Sequence, residues 1–371
     1  MAAGTSDLYL GLISGTSADG IDAALVRFEP RIEVIAATTT AYPESIRDRL
    51  LALTAPGASI PLDAFGALDV AVGECFADAA LALLQHSETH PERVHAIGSH
   101  GQTVRHRIEG AHPFSLQIGD PSVIAERTGI CTVADFRRAD VAAGGHGAPL
   151  APAFHAAVLG THTPCAVLNL GGIANLSLLD ADGSVRGFDT GPANCLLDAW
   201  HARHHGSPCD RDGAWAMQGH VDASLLAVLL DEPWFSAPPP KSTGRETFNL
   251  GWLDARLRDT RIAAADVQAT LLALSARTIA DAVHAHSPGV PLVLACGGGV
   301  HNPVLMASIS QALAPIALAS TAIAGVDPDF VEAALFAWLA HERLAGRPGN
   351  RVSVTGARGP RILGAIHAGR P

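Results

Sequence analysis

The sequence predicts an α/β protein built from two domains, and three observations carry this prediction. The chain has 371 residues, and a domain takes roughly 150 of them. Two segments have the pattern strand, glycine-rich turn, strand, and each is followed by alternating strand-like and helix-like segments. Because this unit occurs twice, we expect an internal duplication, with one mixed sheet flanked by helices in each domain.

The first half of the chain opens with a hairpin. The apolar run Leu8–Ile13 predicts a strand, Ser14–Gly20 predicts a polar turn, and Ile21–Phe28 predicts a second strand. Apolar residues at helical or strand spacing then predict helices over 43–53 and 61–86 and a buried strand over 94–99.

The second half repeats this pattern. Ala166–Leu179 predicts a second hairpin, and Leu292–Cys296 predicts a strand that ends in the triple glycine Gly297–Gly299, before a helix that starts at Pro303. A last short strand, Arg361–Ile366, is expected to return to the first domain. The predicted domains are residues 1–130 with 345–371 and residues 131–344.

The composition indicates a large core and disfavours several classes of protein. Hydrophobic residues make up 48% of the chain and charged residues 16%. The net charge of −11 disfavours a nucleic-acid partner, because phosphate backbones need a basic face. The six cysteines form no CxxC pair, which is typical of free thiols in a reducing compartment. No signal peptide is visible, and prolines interrupt the uncharged segment 300–326, so we expect a cytoplasmic protein without a membrane partner.

The first glycine-rich turn is a candidate phosphate site. Its consecutive backbone N–H groups and hydroxyls are suited to phosphate oxygens, and Asp19 or Asp22 is able to hold a metal ion directly or through water. A plain hairpin turn explains the same residues equally well. The chain contains neither a Walker A loop nor a G-x-G-x-x-G fingerprint, so a nucleotide would be bound in another way.

Two further segments have chemical and structural interpretations. Asp189 follows a strand in the turn Gly187–Asn194, where a carboxylate is suited to act as a general base. By itself, an Asx-turn or helix cap is the better explanation. Gly297–Gly299 removes three side chains at a strand end, which leaves room for a flat ring, but a tight strand-to-helix turn explains it too.

Taken together, these segments resemble one family, the anhydro-N-acetylmuramic acid kinases of the sugar kinase and actin ATPase superfamily. The matching segments are Gly11–Asp22, Ser99–His106, Gln117–Pro121, Asp135–Arg138, Gly144–Leu150, Asn169–Asn175, Phe188–Pro192, Pro240–Glu246 and Cys296–Gly299, extended by Asn302–Pro303, Glu332–Ala333 and Val354–Ala357. The resemblance implies a two-domain, actin-like (ASKHA) ATPase fold with the active site in the interdomain cleft. It also implies a homodimer.

The resemblance implies the reaction as well. The family converts ATP, water and 1,6-anhydro-N-acetylmuramic acid into N-acetylmuramic acid 6-phosphate and ADP, in the recycling of cell-wall sugars. Asp189 would activate water for attack at the anomeric carbon, and the freed O6 would take the γ-phosphoryl group with Mg²⁺ present. Glu332 is a second catalytic candidate.

The remaining site residues are assigned from the same resemblance. Residues that resemble the ATP-binding turns are Gly15, Thr16, Ser17, Ala18, Asp19, Gly20, Ile21, Asp22, Gly171, Gly172, Gly297, Gly298 and Gly299, with Asp19 as the metal ligand. Residues that resemble the sugar-side walls are His100, Asp120 and Arg138. We expect the Arg138 guanidinium to pair with the lactyl carboxylate of the substrate.

Three departures from the family pattern and two alternative functions stay open. Ala18, His146 and Ala193 stand where the family usually has a larger apolar residue, glutamine and glycine. Lys241, the only lysine, contacts phosphate or packs at the cleft rim, unless its survival on the surface is chance. The chain would alternatively act on another 1,6-anhydrosugar such as levoglucosan, or be a non-sugar ATPase that works as a conformational clamp.

Overall fold

The computed structural model describes residues 8–15, 18–54, 57–258 and 261–370. The chain divides into two compact units, Met1–Phe154 with Gly325–Pro371 (unit 1) and His155–Ala324 (unit 2). The strands are β1 (Leu8–Ser14), β2 (Gly20–Arg27), β3 (Glu33–Ala41), β4 (Val94–Arg107), β5 (Phe114–Ile118), β6 (Thr132–Ala134), β7 (Cys165–Leu170), β8 (Ile173–Leu179), β9 (Val185–Pro192), β10 (Leu292–Cys296), β11 (Ala317–Ser320) and β12 (Ala365–His367).

The α-helices lie between these strands and after them. They are α1 (Glu44–Thr54), α2 (Leu62–His86), α3 (Pro121–Thr128), α4 (Arg138–Ala142), α5 (Ala151–Leu159), α6 (Asn194–His205), α7 (Ala223–Leu230), α8 (Pro233–Ser236), α9 (Leu250–Leu257), α10 (Ala264–His286), α11 (Pro303–Leu313), α12 (Val331–Leu344) and α13 (Val352–Thr355). The uncharged segment 300–326 contains α11, the helix predicted from Pro303, and the strand β11. Within the described residues, no helix is long and apolar enough to cross a membrane.

The two sheets share a five-strand core topology, to which unit 1 adds β5 and β12. In unit 1 the order is β12-β6-β4-β1-β2-β3, with β5 paired to β4, and in unit 2 it is β11-β10-β7-β8-β9. Each sheet starts with an antiparallel three-strand meander, β1-β2-β3 or β7-β8-β9. Its first strand then pairs in parallel with a later strand, β4 or β10. This repetition confirms the predicted α/β class, the duplication and the two glycine hairpins.

Helices cover both faces of the unit 1 sheet. Leu10 and Leu12 of β1 are fully buried in the core that α2 shares through Phe76. Successive strand residues point to opposite faces, and Gly11 lies against α12, where an added Cβ would collide with the Ala333 carbonyl oxygen. Gly98 of β4 has the same relation to α12. The helix that carries Glu332 is therefore seated directly on the backbone of two central strands.

The boundaries between the units differ from the predicted ones. The segment after residue 130 stays in unit 1, because β6 pairs in parallel with β4, with Ile97 opposite Thr132. The segment before residue 345 also belongs there, because α12 packs on β1 and β4. The C-terminal strand returns to unit 1 as expected, where β12 pairs antiparallel with β6. Long-range pairing sets these boundaries, and the local pattern of the sequence does not contain it.

Unit 2 is built around its own core. Ala166, Leu168 and Leu170 of β7 are buried. They share one hydrophobic cluster with α10 through Leu271 and Ile279. The cluster also includes Ala193, Cys195 and Leu196, so β7 and the start of α6 share one core.

Candidate functional site

The first glycine-rich turn joins β1 to β2, and its two central residues, Thr16 and Ser17, lie outside the described residues. Ile13 is opposite Asp22 at the base of the hairpin. The Ala18 amide donates to the Gly15 carbonyl at 3.1 Å. Ala18 is buried with φ +51°, and Ile21 is buried in the core. These two residues can therefore offer only their backbone to a ligand.

Buried polar side chains hold this turn from β4. The Gln102 amide Nε2 donates to the Gly15 carbonyl at 3.0 Å, and Gln102 is fully buried. The Tyr42 hydroxyl donates to Gln102 Oε1 at 3.4 Å. Because buried polar groups need partners, this network fixes where the turn begins.

The two aspartates of the first turn have different partners. Asp19 is exposed, and its carboxylate forms an ion pair with Arg47 at 2.8 Å. Asp22 is half-buried and accepts a hydrogen bond from the Thr39 hydroxyl at 2.6 Å. Burial raises the pKa of Asp22, and the Thr39 hydroxyl lowers it in part. Asp19, the residue predicted as metal ligand, is thus paired with an arginine, whereas Asp22 is held by a hydroxyl.

Unit 1 places His100, Arg137 and Glu332 in one group. Arg137 donates from Nε to His100 Nε2 at 3.0 Å and from Nη1 to the Gly147 carbonyl at 2.7 Å. His100 is buried, and its ring packs on Phe336 with 4.5 Å between centroids. Since Nε2 accepts, the ring proton is on Nδ1, which is buried and has no partner among the described residues. Burial and the Arg137 charge keep the pKa of His100 well below its usual value.

Glu332 is in the first turn of α12 and its side chain remains accessible to solvent. The protein atoms crowded around the carboxylate raise its pKa, Arg137 opposes this rise, and Asp22 adds to it. Water screens part of this effect because the group is accessible. The pKa of Arg137 reflects the same pair. Burial lowers the pKa of its guanidinium to about 10, although the negative charge of Glu332 acts to raise it.

The structure separates Arg137 from Arg138, the residue predicted for the substrate carboxylate. Arg138 is exposed at the start of α4 and pairs with Asp135 at 3.5 Å. Arg137 faces inward beside His100, and sequence reasoning missed it. A signal existed: Arg137 and the buried Val141 are four residues apart and so share one helix face. Arg138 shares its face with the exposed Ala142.

Asp120, the third residue predicted for the sugar wall, has a structural partner. It is the N-cap of α3, where its carboxylate accepts from the Ser122 amide at 2.8 Å. Ser and Asp at such positions satisfy the first free amides of a helix. The described contacts of the Asp120 side chain are therefore those of a cap.

Asp189 lies in β9, and a loop from later in the chain clamps its carboxylate. Oδ2 accepts from the Ser242 hydroxyl at 3.0 Å and from the Thr243 amide at 2.9 Å. Oδ1 accepts no hydrogen bond from the part of the chain that the structure describes. Ala193, and not Asp189, is the N-cap of α6, so the helix-cap explanation is wrong.

Burial raises the pKa of Asp189, and the hydrogen bonds from Thr243 and Ser242 oppose this rise. The negative charge of Glu246 raises the pKa further. A carboxylate whose pKa is raised is a stronger base, and the two hydrogen bonds favour its charged form. The electrostatics therefore suit a carboxylate that takes a proton through Oδ1.

Lys241 has a position in the same loop that does not depend on phosphate. Its Nζ donates to the carbonyls of Phe235 at 2.7 Å and Trp234 at 3.2 Å. The ammonium also lies 4.4 Å from the centre of the Trp234 ring. The Lys241 carbonyl accepts from the Asp189 amide at 3.0 Å. These contacts favour the packing alternative, in which Lys241 anchors the loop that clamps Asp189.

The second glycine turn, Gly171–Gly172, points its carbonyls at the N-terminus of α6. The Gly172 carbonyl accepts from the amides of Ala193 and Cys195, both at 3.0 Å, and the Gly171 carbonyl accepts from the amide of Asn194 at 3.1 Å. In a trans peptide, C=O and the following N–H point in opposite directions. The Gly172 N–H is therefore directed away from α6, as a site for an anion requires.

The third glycine segment is only partly open. Gly297 has φ +81°, and an added Cβ there would collide with the Asn169 side chain. A Cβ on Gly299 would come within 2.6 Å of the Leu170 Cβ. Gly298 alone has open space around it. The tight-turn explanation thus accounts for Gly297 and Gly299, and the surface available to a flat ring is at Gly298.

Known proteins match this sequence along nearly the whole chain. The model of the family described as anhydro-N-acetylmuramic acid kinase matches residues 7–369. Among solved structures, a xylulose kinase from Rhodospirillum rubrum has a TM-score of 0.44 at 15% identity and covers 98% of this chain and 94% of that one.

Curated relatives are much more similar. An anhydro-N-acetylmuramic acid kinase of Xanthomonas oryzae pv. oryzae (strain MAFF 311018) is 58% identical over 365 residues, which is 97% of each chain. The one of Xanthomonas axonopodis pv. citri (strain 306) is 58% identical over 367 residues, 98% of each chain. The one of Coxiella burnetii (strain Dugway 5J108-111) is 47% identical over 364 residues, 97% of each chain. The chain therefore belongs to the anhydro-N-acetylmuramic acid kinase family.

Proposed function

We propose that this protein is an ATP-dependent kinase that opens 1,6-anhydro-N-acetylmuramic acid with water and phosphorylates O6. The products are N-acetylmuramic acid 6-phosphate and ADP. The observation that carries the proposal is the clamp on Asp189, in a chain that belongs to this kinase family. One carboxylate oxygen is held by Ser242 and Thr243, and the other is left for water.

The hydrolytic half of the reaction uses Asp189 as general base. Water attacks the anomeric carbon while Asp189 Oδ1 takes its proton, and the bond between the anomeric carbon and O6 breaks. The carboxylate also stabilises the positive charge that develops at the anomeric carbon. The Ser242 hydroxyl and the Thr243 amide orient Oδ2 throughout, so Oδ1 keeps its direction.

The phosphoryl half uses backbone groups. The freed O6 attacks the γ-phosphorus of ATP, and ADP leaves. We assign the phosphates to the first turn, Gly15–Asp22, and to the second turn at Gly171 and Gly172, with adenosine against Gly298. Such amide-lined turns stabilise phosphate charge through positioned N–H donors.

The donor set of the first turn fits Mg²⁺ shared with nucleotide phosphates. Mg²⁺ takes one or two carboxylates and completes its shell with phosphate and water oxygens. The described residues contain no group of three or more acidic, histidine or cysteine ligands, and none is needed for that mode. We assign Asp22 as the carboxylate, because Asp19 would first have to leave Arg47. When bound, the ion would neutralise charge on the phosphates.

We assign the sugar to the group formed by His100, Arg137 and Glu332. The guanidinium of Arg137 takes the role expected of Arg138, because a carboxylate ligand needs an inward-facing fork. The unpartnered Nδ1–H of His100 is a buried donor for a sugar oxygen. Asp120 stays outside this assignment, since its carboxylate caps α3.

We also propose that the enzyme acts in the cytoplasm as a homodimer on this small-molecule substrate, with neither nucleic acid nor a membrane as partner. The free cysteines support a cytoplasmic location. The net charge of −11 supports the absence of a nucleic-acid partner. The family resemblance supports the dimer, and light scattering of the purified protein tests it.

The decisive experiment measures ADP formation with Mg-ATP and three additions: 1,6-anhydro-N-acetylmuramic acid, levoglucosan, or no sugar. We expect turnover with the muramic sugar alone. Asp189→Asn should lower kcat by about 10²-fold to 10⁴-fold, the usual contribution of a general base. Asp182→Asn, an exposed aspartate in the turn before β9, is the matched control and should leave kcat unchanged.

Two outcomes would contradict the proposal. Turnover with levoglucosan only would keep the mechanism and change the substrate. ADP release without any sugar, unaffected by Asp189→Asn, would leave an ATPase with another partner.

A further inference from the structure

The loop that clamps Asp189 also brings a guanidinium to the second glycine turn. We call residues 240–249 the clamp loop. Ser242 and Thr243 of this loop bind the Asp189 carboxylate. Two residues later, Arg245 places Nε and Nη2 each 3.4 Å from the position that a Cβ on Gly172 would take. One short loop therefore touches both the carboxylate and the turn.

The Arg245 guanidinium has no acceptor of its own. It is exposed, and within the ranges that the structure describes it forms neither a hydrogen bond nor an ion pair. Four other arginines of unit 2 are paired with carboxylates, among them Arg203 with Asp254 at 2.6 Å and Arg256 with Glu232 at 2.6 Å. In a chain of net charge −11, a cation left unpaired beside a glycine turn is available to an anionic ligand.

The carboxylate of Asp198 is near Arg245 but does not form an ion pair with it. Burial raises the pKa of Asp198 to about 6, and the charge of Arg245 opposes that rise, but the two side chains form no ion pair within the described residues. The Asp198 side chain is half-buried on α6. The guanidinium thus keeps its donors free while lying near a weak negative charge.

The turn itself supplies a second donor. The carbonyls of Gly171 and Gly172 are used by the α6 amides, so the Gly172 N–H points away from the helix. A backbone amide together with a guanidinium fork is a typical pair of donors for a phosphate group.

From this geometry we propose that Arg245 binds a phosphate group of the nucleotide at the Gly171–Gly172 turn. The proposal rests on the proposed kinase function and adds a residue to its nucleotide site. Because Arg245 and the residues that hold Asp189 share the clamp loop, phosphate bound at Arg245 also orders Ser242 and Thr243. Nucleotide binding thereby positions the base, and Arg245 acts in both binding and turnover.

The test compares Arg245→Gln and Arg245→Lys with Arg261→Gln, which removes the same charge from another exposed arginine of unit 2. Calorimetry without sugar measures the Kd of ADP, of adenosine and of N-acetylmuramic acid 6-phosphate. We expect Arg245→Gln to weaken ADP binding about 10-fold to 100-fold, the range for a lost charged hydrogen bond. Arg245→Lys should retain part of the affinity. Adenosine binding and all constants of Arg261→Gln should match the wild type.

Kinetics then separate binding from positioning. At saturating ATP, we expect kcat of Arg245→Gln to stay below the wild-type value, because the clamp loop is less ordered. Unchanged ADP affinity in Arg245→Gln would overturn the proposal, as would an equal loss for ADP and adenosine, which indicates a structural role. Loss for the sugar phosphate alone would assign the guanidinium to the product. If the wild type binds no nucleotide, the proposed function itself fails.

Discussion

The two oxygens of the Asp189 carboxylate have different surroundings, and this difference defines the chemistry at the scale of a residue. Oδ2 is held by the Ser242 hydroxyl and the Thr243 amide, while Oδ1 is left for a water molecule. Burial raises the pKa of the group, and these two donors oppose the rise. The net rise makes the carboxylate more basic than an exposed aspartate, while the two donors favour its charged form.

The Ser242 hydroxyl should therefore control the acid limb of the pH profile. A general base works when deprotonated, so kcat/KM rises with pH through the pKa of Asp189. Ser242→Ala removes a hydrogen bond to the charged form, which raises this pKa further. We expect the acid limb to move to higher pH by about one unit. Ser184→Ala, an exposed serine bonded to Asp180, is the control. An unmoved limb in Ser242→Ala would contradict the role of Asp189.

At the scale of an element, helix α12 is positioned by glycines in two strands. Gly11 of β1 and Gly98 of β4 leave room for the carbonyls of Ala333 and Phe336. This close approach places the first turn of α12, and with it Glu332, beside Arg137. Backbone contact fixes a helix more tightly than side-chain contact, because flexible side chains are able to yield and backbone is not.

Gly98→Ala should displace α12. The new Cβ would collide with the Phe336 carbonyl, so we expect the free energy of unfolding to fall by about 2–3 kcal/mol. We expect kcat to fall as well, because Glu332 moves with the helix. Gly66→Ala in α2, where an added Cβ meets no atom within 4 Å, should instead stabilise the protein by up to about 1 kcal/mol. Urea unfolding and initial rates measure both variants. Wild-type stability in Gly98→Ala would refute the seating of α12.

At the scale of the whole molecule, the six cysteines are free thiols in different surroundings. Cys209 is exposed, Cys75 and Cys131 are half-buried, and Cys165, Cys195 and Cys296 are buried. Burial raises the pKa of Cys165 and Cys195 to about 11. Since the thiolate is the reactive form, the fold itself sorts the thiols by reactivity.

Thiol titration with an aromatic disulfide should show this order. In the native protein we expect one fast-reacting thiol, Cys209, and in urea all six. Cys209→Ser should remove the fast phase and leave kcat unchanged. Several fast thiols in the native protein would mean that the two cores open more readily than their packing indicates.

The sequence by itself determined the local elements and the family. Apolar spacing and glycine turns depend on neighbouring residues, so the hairpins β1–β2 and β7–β8, the helix α2 and the duplication were all predictable. The match along the chain also singled out Asp189 and the clamp loop as parts of one family pattern, without showing that they touch.

Only the tertiary structure decided what depends on distant contacts. It turned Arg137 inward and Arg138 outward, since Arg137 binds His100 whereas Arg138 pairs with Asp135 at the surface. It placed Arg47 beside Asp19, and the two side chains form an ion pair. It brought Ser242 and Thr243 to a carboxylate more than fifty residues earlier in the chain. It also kept β6 and α12 in unit 1. Such contacts follow from long-range pairing and close packing, which no local pattern of residues encodes.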